Sequence, residues 1–304
     1  MTRIRHHAER GFSLIELMIS TVILLVVAGG VFGALNYYQK TYQRTEISAD
    51  MHDNLRTAIE LITQEVGQAG ALPSLAGAAG PPTLAAAVVG SPLAQTVVLL
   101  GGVTSSIYPG EQLMVDAGAN QETVTVITAG AGSFKAIFGQ NHILGTQVNA
   151  SGVFPTGILT TVNGNTLDLY GDINGDGTLV HIEYTCNPAA NGTGTLTMAV
   201  TPVTGAGVVS APSVLVDGLM TNPAGAPCFQ VFSVTPGAFP VPFVNQVSVT
   251  LSTQTTARDP LTGNFVTMTK SALDIVPRNI QMGLDMANNG VTTRLQNKPY
   301  PTMP

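Results

Sequence analysis

The N-terminal part of the chain carries one long apolar run. Between Phe12 and Leu35 the only side chain with a formal charge is that of Glu16. A helix rises about 1.5 Å per residue, so these roughly 24 residues would extend about 36 Å and could cross the hydrocarbon core of a bilayer. The pattern therefore predicts a transmembrane helix over residues 12–35.

After this run, the apolar positions take the period of an amphipathic helix. They recur every three or four residues at Leu55, Ile59, Ile62, Val66 and Ala69. Gly70 and Pro73 follow, and both residue types commonly end helices. We therefore predict a single helix over residues 12–70, whose second half packs its apolar stripe against a β domain.

The remaining chain alternates short β-prone runs with glycine, asparagine and proline. Residues 71–95 are rich in Ala, Gly and Pro, carry no charge and predict a linker with a helical turn near residues 83–88. Residues 96–150 predict a small β insertion, residues 151–280 the main β domain, and residues 281–304 a loose polar tail. The predicted fold class is α+β, with the long helix packed on an antiparallel sheet.

The charges are few and unevenly placed. The formal net charge is −6 with 10% charged residues, yet the leader, residues 1–11, carries Arg3, Arg5 and Arg10. By the positive-inside rule the leader stays cytoplasmic and the rest of the chain is exported. A secretory signal peptide would have a shorter apolar core and an Ala-x-Ala site at its far end, which this run lacks. No basic patch lies beyond the leader, so we expect no nucleic-acid partner.

The leader meets the apolar run in a specific motif. Residues 11–17 read GFSLIEL, which resembles the processing site of type IV prepilins and type II secretion pseudopilins. The resemblance implies that a membrane prepilin peptidase cuts after Gly11 and methylates the new amino terminus at Phe12. Glu16 then becomes the fifth residue of the mature chain, the position of the characteristic glutamate in that family.

Glu16 also has a physical reason to take part in assembly. A carboxylate in hydrocarbon is costly unless it has a partner. The positive amine of Phe12 on an incoming subunit can be neutralised by Glu16 of a neighbour, and the two charges together cost much less than either alone. We therefore expect Phe12 and Glu16 to act together in filament assembly.

Three further segments, residues 54–56, 65–70 and 276–279, resemble PilW-type minor pilins. This resemblance implies a low-copy subunit that primes assembly or lies at the pilus tip. Such a protein is held in the inner membrane by one span, with a periplasmic C-terminal domain, before it enters the filament. The implied partners are the prepilin peptidase, other minor and major pilins and the pilus assembly platform. Two alternatives stay open, a minor pseudopilin of type II secretion and a tip adhesin or ligand-binding module that uses the insertion.

Residues 172–183 match the calcium-loop pattern D-x-[DN]-x-[DN]-G-x₅-E. The oxygen ligands would be the side chains of Asp172, Asn174, Asp176 and Glu183 and the carbonyl of Thr178. The Asn-Gly and Asp-Gly pairs in the loop are also strong turn formers, so a plain β-hairpin is the alternative. In a hairpin, Glu183 would lie along the strand and away from the turn. Calcium is the only cofactor that the sequence suggests, and none is required.

The two cysteines, Cys186 and Cys228, can pair in an exported chain, with two free buried thiols as the alternative. No catalytic constellation accompanies the five histidines. The chain has no phosphate loop, no H-E-x-x-H and no C-x-x-C motif. We therefore expect a structural protein and not an enzyme.

Replacing Gly11 with leucine should leave the leader attached, because a bulky side chain before the scissile bond obstructs the peptidase. Mass analysis of the membrane fraction would show the unprocessed chain. Gly29→Ala, a glycine change inside the apolar run, is the matched control and should be processed normally. A mature chain that begins at Phe12 in the Gly11→Leu variant would contradict the assignment of the cleavage site.

Overall fold

The computed structural model describes residues 12–102, 104, 107–150, 152–161, 163–203, 210–237 and 239–296. Gly11 and the rest of the leader lie outside the described residues. By its internal contacts the chain divides into two units. One contains residues up to Asp50 together with Thr255–Val266, and the other contains Met51–Gln254 and the residues from Thr267 onward.

Helix α1 is continuous from Leu14 to Gln68, in agreement with the predicted helix over residues 12–70. In the first unit its apolar side chains are exposed, from Phe12 at 75% to Leu35 at 50%. The same unit contains the segment between Thr255 and Val266, and Asp259 of this segment lies 3.5 Å from the guanidinium of Arg44. The backbone N–H of Leu261 holds the pKa of Asp259 below its ordinary value, so this carboxylate is charged at neutral pH.

In the second unit, α1 buries one stripe of side chains at intervals of three and four residues. The stripe consists of Met51, Leu55, Ala58, Ile62 and Val66. From Leu55 onward the stripe packs into the larger hydrophobic core, and Ile59 lies partly buried beside it. The amphipathic period of the sequence therefore predicted the packed face of the helix correctly.

The β structure follows α1 and ends before a second helix, α2 (Arg278–Asn288). The strands in chain order are β1 (Thr83–Leu84), β2 (Ser91–Leu100), β3 (Gln112–Val115), β4 (Glu122–Thr125), β5 (Thr128–Gly130), β6 (Ser133–Phe138), β7 (Val148–Ala150), β8 (Ile158–Thr160), β9 (Thr166–Gly171), β10 (Val180–Asn187), β11 (Gly194–Pro202), β12 (Ser213–Met220), β13 (Phe229–Val234), β14 (Phe243–Gln254) and β15 (Thr267–Ile275). Every pairing between these strands is antiparallel. The predicted α+β class is confirmed.

The large sheet carries the main core. Its strand order is β13-β14-β12-β11-β10-β9-β8, and β15 pairs with β14. The helical stripe lies in the same core as Leu169, Tyr184 and Phe243 of this sheet. Where the helix meets the sheet, the hydroxyl of Tyr184 donates a hydrogen bond to the carboxyl of Glu65. Burial raises the pKa of Glu65, and the hydrogen bond from Tyr184 opposes this rise. The hydroxyl of Tyr184 thus provides the hydrogen bond that water would otherwise donate to this carboxyl group.

Two smaller sheets enclose a second core. Their strand orders are β1-β2-β6-β5 and β4-β3-β7, and their buried residues include Leu113, Phe134 and Phe138. This core begins earlier than the expected start of the insertion at residue 96, because Leu75 and Leu84 belong to it.

The stretch 71–95, expected to be a linker, contains β1 and the first half of β2. The helical turn expected near residues 83–88 is wrong, since Thr83 and Leu84 pair with Leu100 and Leu99 of β2. Pairing with a distant strand outweighs the local preference of the alanine-rich sequence.

The C-terminal segment also differs from the prediction of a loose tail over residues 281–304. Helix α2 buries Ile280, Gly283, Leu284 and Ala287, an i, i+3, i+4, i+7 pattern that fits one helical face. The side chain of Gln296 then hydrogen-bonds the backbone of Gln112 at 2.8 and 2.9 Å, which ties this segment to the second core. Residues 297–304 lie outside the described residues.

The second core lies beside a buried carboxyl group. Glu111 is 1% exposed, and its Oε2 accepts a hydrogen bond from the backbone N–H of Tyr108 at 3.1 Å. Burial raises the pKa of Glu111 from 4.5 to about 8, and the hydrogen bond opposes this rise only in part. Glu111 is therefore mostly protonated and neutral in the folded protein at pH 7.

This raised pKa makes stability depend on pH. Between pH 4.5 and about 8 the folded state binds more protons at Glu111 than the unfolded state. The free energy of unfolding should therefore fall as pH rises through this window, by up to about 1.4 kcal/mol per pH unit from this group. Glu111→Gln, a neutral side chain of the same shape, should remove this slope and stabilise the protein at pH 8.

The measurement is denaturant unfolding of the full chain in detergent at several pH values from 5 to 8. Glu46→Gln, at an exposed position of α1, is the matched control and should leave the slope unchanged. An unchanged slope in Glu111→Gln would show that Glu111 does not carry the pH dependence.

Candidate functional site

The N-terminal site residues lie at the start of α1. The backbone N–H groups of Glu16 and Leu17 donate to the carbonyl of Ser13 at 3.0 and 3.1 Å, which closes the first turn. Phe12 precedes this turn and is 75% exposed, and Glu16 is exposed within it. Gly11, the predicted cleavage residue, lies outside the described residues.

Glu16 has no ion-pair partner within the part of the chain that the structure describes. Its surroundings on α1 are apolar and exposed, with Leu14 at 78% and Leu17 at 62%. A lone carboxylate among apolar side chains needs a partner when that surface is removed from water.

Within the described residues, α1 is the one helix long and apolar enough to cross a membrane. The exposure of its apolar half is consistent with membrane anchoring of a pilin-like protein. A signal sequence near the N-terminus can also be long and apolar enough to meet this criterion.

The predicted calcium loop forms the turn between β9 and β10. The carboxylate of Asp172 accepts the backbone N–H groups of Asp176 and Gly177 at 3.0 and 3.1 Å. The carboxylate of Asp176 accepts the N–H of Thr178 at 2.8 Å. These bonds fix the conformation of the loop between the two strands.

Glu183, the fifth predicted calcium ligand, does not lie in the turn. The last residue pair of the hairpin joins Gly171 to Val180, and Glu183 pairs with Asp168 further along the ladder. Three residues of strand place Glu183 about 10 Å beyond Val180. The structure therefore has the hairpin of the alternative interpretation, while calcium binding by Asp172, Asn174, Asp176 and the Thr178 carbonyl stays a prediction.

Cys186 and Cys228 form a disulfide, with a Cα–Cα distance of 6.4 Å. The bridge joins β10 to the residue before β13. Both cysteines are buried in the main core. The structure thus shows the disulfide that the sequence suggested, in place of two free thiols.

A cavity lies in the smaller sheets, and no pattern in the sequence predicted it. The cavity has a volume of about 450 Å³ and is lined by Asp116, Ala117, Asn120, Asn141, Ile143, Leu144, Gly145, Thr146, Gln147 and Asn149. Asp116 has a positive φ of 71°, a conformation that is rare and strained for residues other than glycine. Ile143 and Leu144 are 76% and 62% exposed beside the amide side chains.

A buried histidine lies behind this cavity. His142 has one ring nitrogen 3.2 Å from Asp116 and the other 2.6 Å from Glu122. The N–H of Ala117, together with His142, holds the pKa of Asp116 below its ordinary value. Asp116 is therefore ionised at neutral pH and gives the cavity one negative charge.

A family model of the prokaryotic N-terminal methylation motif matches residues 6–32. The matched segment contains Gly11, Phe12 and Glu16 and the beginning of the apolar helix. The chain therefore carries a prepilin-like N-terminal methylation motif, which implies processing by a prepilin peptidase and assembly with pilin partners in general. No curated protein and no solved structure matches the chain.

Proposed function

We propose that this chain is a minor type IV pilin, a low-copy subunit that primes filament assembly or sits at the pilus tip. The observation that carries the proposal is the methylation motif at residues 6–32. It opens a helix whose first half exposes its apolar side chains and whose second half packs on an antiparallel sheet. This arrangement suits a subunit that leaves the inner membrane, after cleavage following Gly11, and enters a filament.

The helix would work in the same way in both surroundings. In the membrane its apolar half is covered by lipid, and in the filament it is covered by the equivalent helices of other pilins. Because both surroundings exclude water, transfer between them costs little hydrophobic free energy. The charge of Glu16 then decides the register, since it is stabilised where the methylated amine of a neighbour's Phe12 lies close to it.

The size of the exported part supports a minor role. Besides the main sheet, it carries two further sheets with a core of their own. A major pilin repeats at every position of the filament, where such an addition would crowd its neighbours. A subunit at the tip has free space on one side, so the second core favours a low copy number and a position at the tip. The minor pseudopilin of type II secretion shares the N-terminal chemistry and remains the rival within the same class.

Replacing Glu16 with alanine should permit cleavage and methylation but impair assembly. Leaving one buried charge of a pair without its partner costs roughly 3–5 kcal/mol, so incorporation should fall by at least about 100-fold. The measurement combines the N-terminal mass of the protein with the number of filaments sheared from cells that express only the variant. Glu46→Ala, an exposed acid further along α1, is the matched control.

Normal filament numbers with Glu16→Ala would contradict the role of Glu16 in pilus assembly. If filaments are normal in a strain without the chain but type II secretion fails there, the protein is the pseudopilin instead.

A second candidate function, a ligand-binding module at the pilus tip, is favoured by the cavity beside Asp116. Its amide side chains can hydrogen-bond hydroxyl groups in pairs, and exposed Ile143 and Leu144 can contact an apolar ligand face. The lining contains no Lys, Arg or His, and Asp116 is negative, so an acidic ligand is disfavoured. The chemistry fits a neutral, hydroxyl-rich ligand such as an oligosaccharide.

An array of neutral oligosaccharides, probed with the full chain in detergent, would test this candidate. We expect binding that weakens by about tenfold in Asn120→Ala, since each lost hydrogen bond costs roughly 1–1.5 kcal/mol. Asn54→Ala, at an exposed position of α1, should bind as the wild type does. Absence of binding to every sugar, or equal binding by Asn120→Ala, would rule out the cavity as a sugar site.

A further inference from the structure

One face of the hairpin formed by β9 and β10 brings two carboxylates directly opposite each other. Asp168 pairs with Glu183, and the next pair on the same face joins Tyr170 to His181. Like charges that face each other across antiparallel strands are destabilising. The pairing of Asp168 with Glu183 therefore calls for a positive charge nearby.

The neighbouring strands supply no such charge. On β11 the register places Thr201 beside His181 and Ala199 beside Glu183, and on β8 it places Leu159 beside Asp168. In the described part of the chain no lysine or arginine forms a salt bridge with either carboxylate.

The histidine is held in a position suited to metal binding. The side chain of His181 is 3% exposed, and its Nε2 lies 2.8 Å from the Oδ1 of Asp168. The ring stacks on Tyr170 with 4.5 Å between the centroids and 10° between the planes. Because the stack restricts rotation of the ring, Nε2 stays directed toward the carboxylates. One ligand atom from each of Asp168, His181 and Glu183 lies within 4.8 Å of the other two.

We propose that Asp168, His181 and Glu183 form a binding site for a first-row divalent cation of the Zn²⁺ type. Two zinc ligands lie roughly 3.3 Å apart in tetrahedral geometry, so a small rotation of the half-buried Glu183 would complete the set. One imidazole nitrogen with two carboxylate oxygens is a donor set that suits zinc and its neighbours, whereas calcium prefers oxygen ligands alone.

The side chain of Asp168 is 22% exposed, which leaves a coordination position open on the solvent side. A cation here would neutralise both carboxylates and join the two strands that flank the turn. The site is distinct from the turn at residues 172–178, which the sequence suggested for calcium. It uses Glu183 but none of the other residues of that pattern.

The test is thermal unfolding and calorimetric titration of the full chain, purified in detergent without a histidine tag. The probes are ZnCl₂, CaCl₂ and a chelator. We expect one equivalent of zinc and a rise in Tm of roughly 5 °C when zinc exceeds its Kd by about 100-fold. Glu183→Gln should weaken zinc binding by at least about 100-fold, because it removes a ligand. Its Tm without metal should equal or exceed that of the wild type, because it also removes the repulsion from Asp168.

Asp176→Asn is the matched control, since it removes a carboxylate from the same hairpin but not from the cluster. It should leave the zinc-dependent shift unchanged. His181→Gln should abolish the shift, and if it fails to fold, Glu183→Gln decides. The remaining histidines give the same background in every variant.

Two results would overturn the proposal. If the wild type shows no zinc-dependent shift, or Glu183→Gln keeps it, the cluster is only the hydrogen-bonded pair of Asp168 and His181 beside a carboxylate that accepts a hydrogen bond from Thr185. If calcium and not zinc raises Tm, and Asp176→Asn abolishes that shift, the cation lies in the turn instead.

Discussion

The structure depends on one helix, α1, whose two halves present different surfaces. Over its first half, α1 presents apolar side chains on every face, and within the described residues nothing in the chain covers them. From Met51 onward it presents a single buried stripe. A helix satisfies its backbone hydrogen bonds internally, so it can pass from hydrocarbon to a protein core without a break. The exposure of the first half is consistent with membrane anchoring of a chain that carries a prepilin-like methylation motif.

The chain has few charged residues, so the buried ones carry particular weight. Glu65 is matched by the hydroxyl of Tyr184, and Glu111 avoids the cost of a buried charge by remaining protonated. His142 lies between two carboxylates in the second core. The bond between Glu65 and Tyr184 joins a helix and a strand that are far apart in the chain, and His142 joins the segment after β6 to the carboxylates at the end of β3 and the start of β4. These contacts specify positions in the cores that apolar packing alone would leave less defined.

The sequence predicted the elements whose pattern is local and long. The stripe of α1 and strands such as β6 follow directly from periodicity. Strands β1, β7 and β8 have only two or three residues, too few to show a period, and exist because a longer strand pairs with them. Helix α2 does show its period at Ile280, Leu284 and Ala287, but the surrounding Asn and Pro favour a tail by composition. Burial against the main core decides in favour of the helix.

The location of Glu183 shows why site residues are harder to predict than elements. The calcium pattern assigns Glu183 as a ligand because of its distance from Asp172 along the sequence. That spacing brings the two side chains together only if the backbone between them has the conformation of a calcium loop. In this chain the strands already pair at Gly171 and Val180. From Val180 onward the alternation of the strand determines the face on which each side chain lies. A register shifted by one residue would send Glu183 to the core face, turn Tyr184 away from the core and separate Glu183 from Asp168. The hydrogen bonds of Asp172 and Asp176 stabilise this turn and its register, and the register determines which side chains lie next to Glu183.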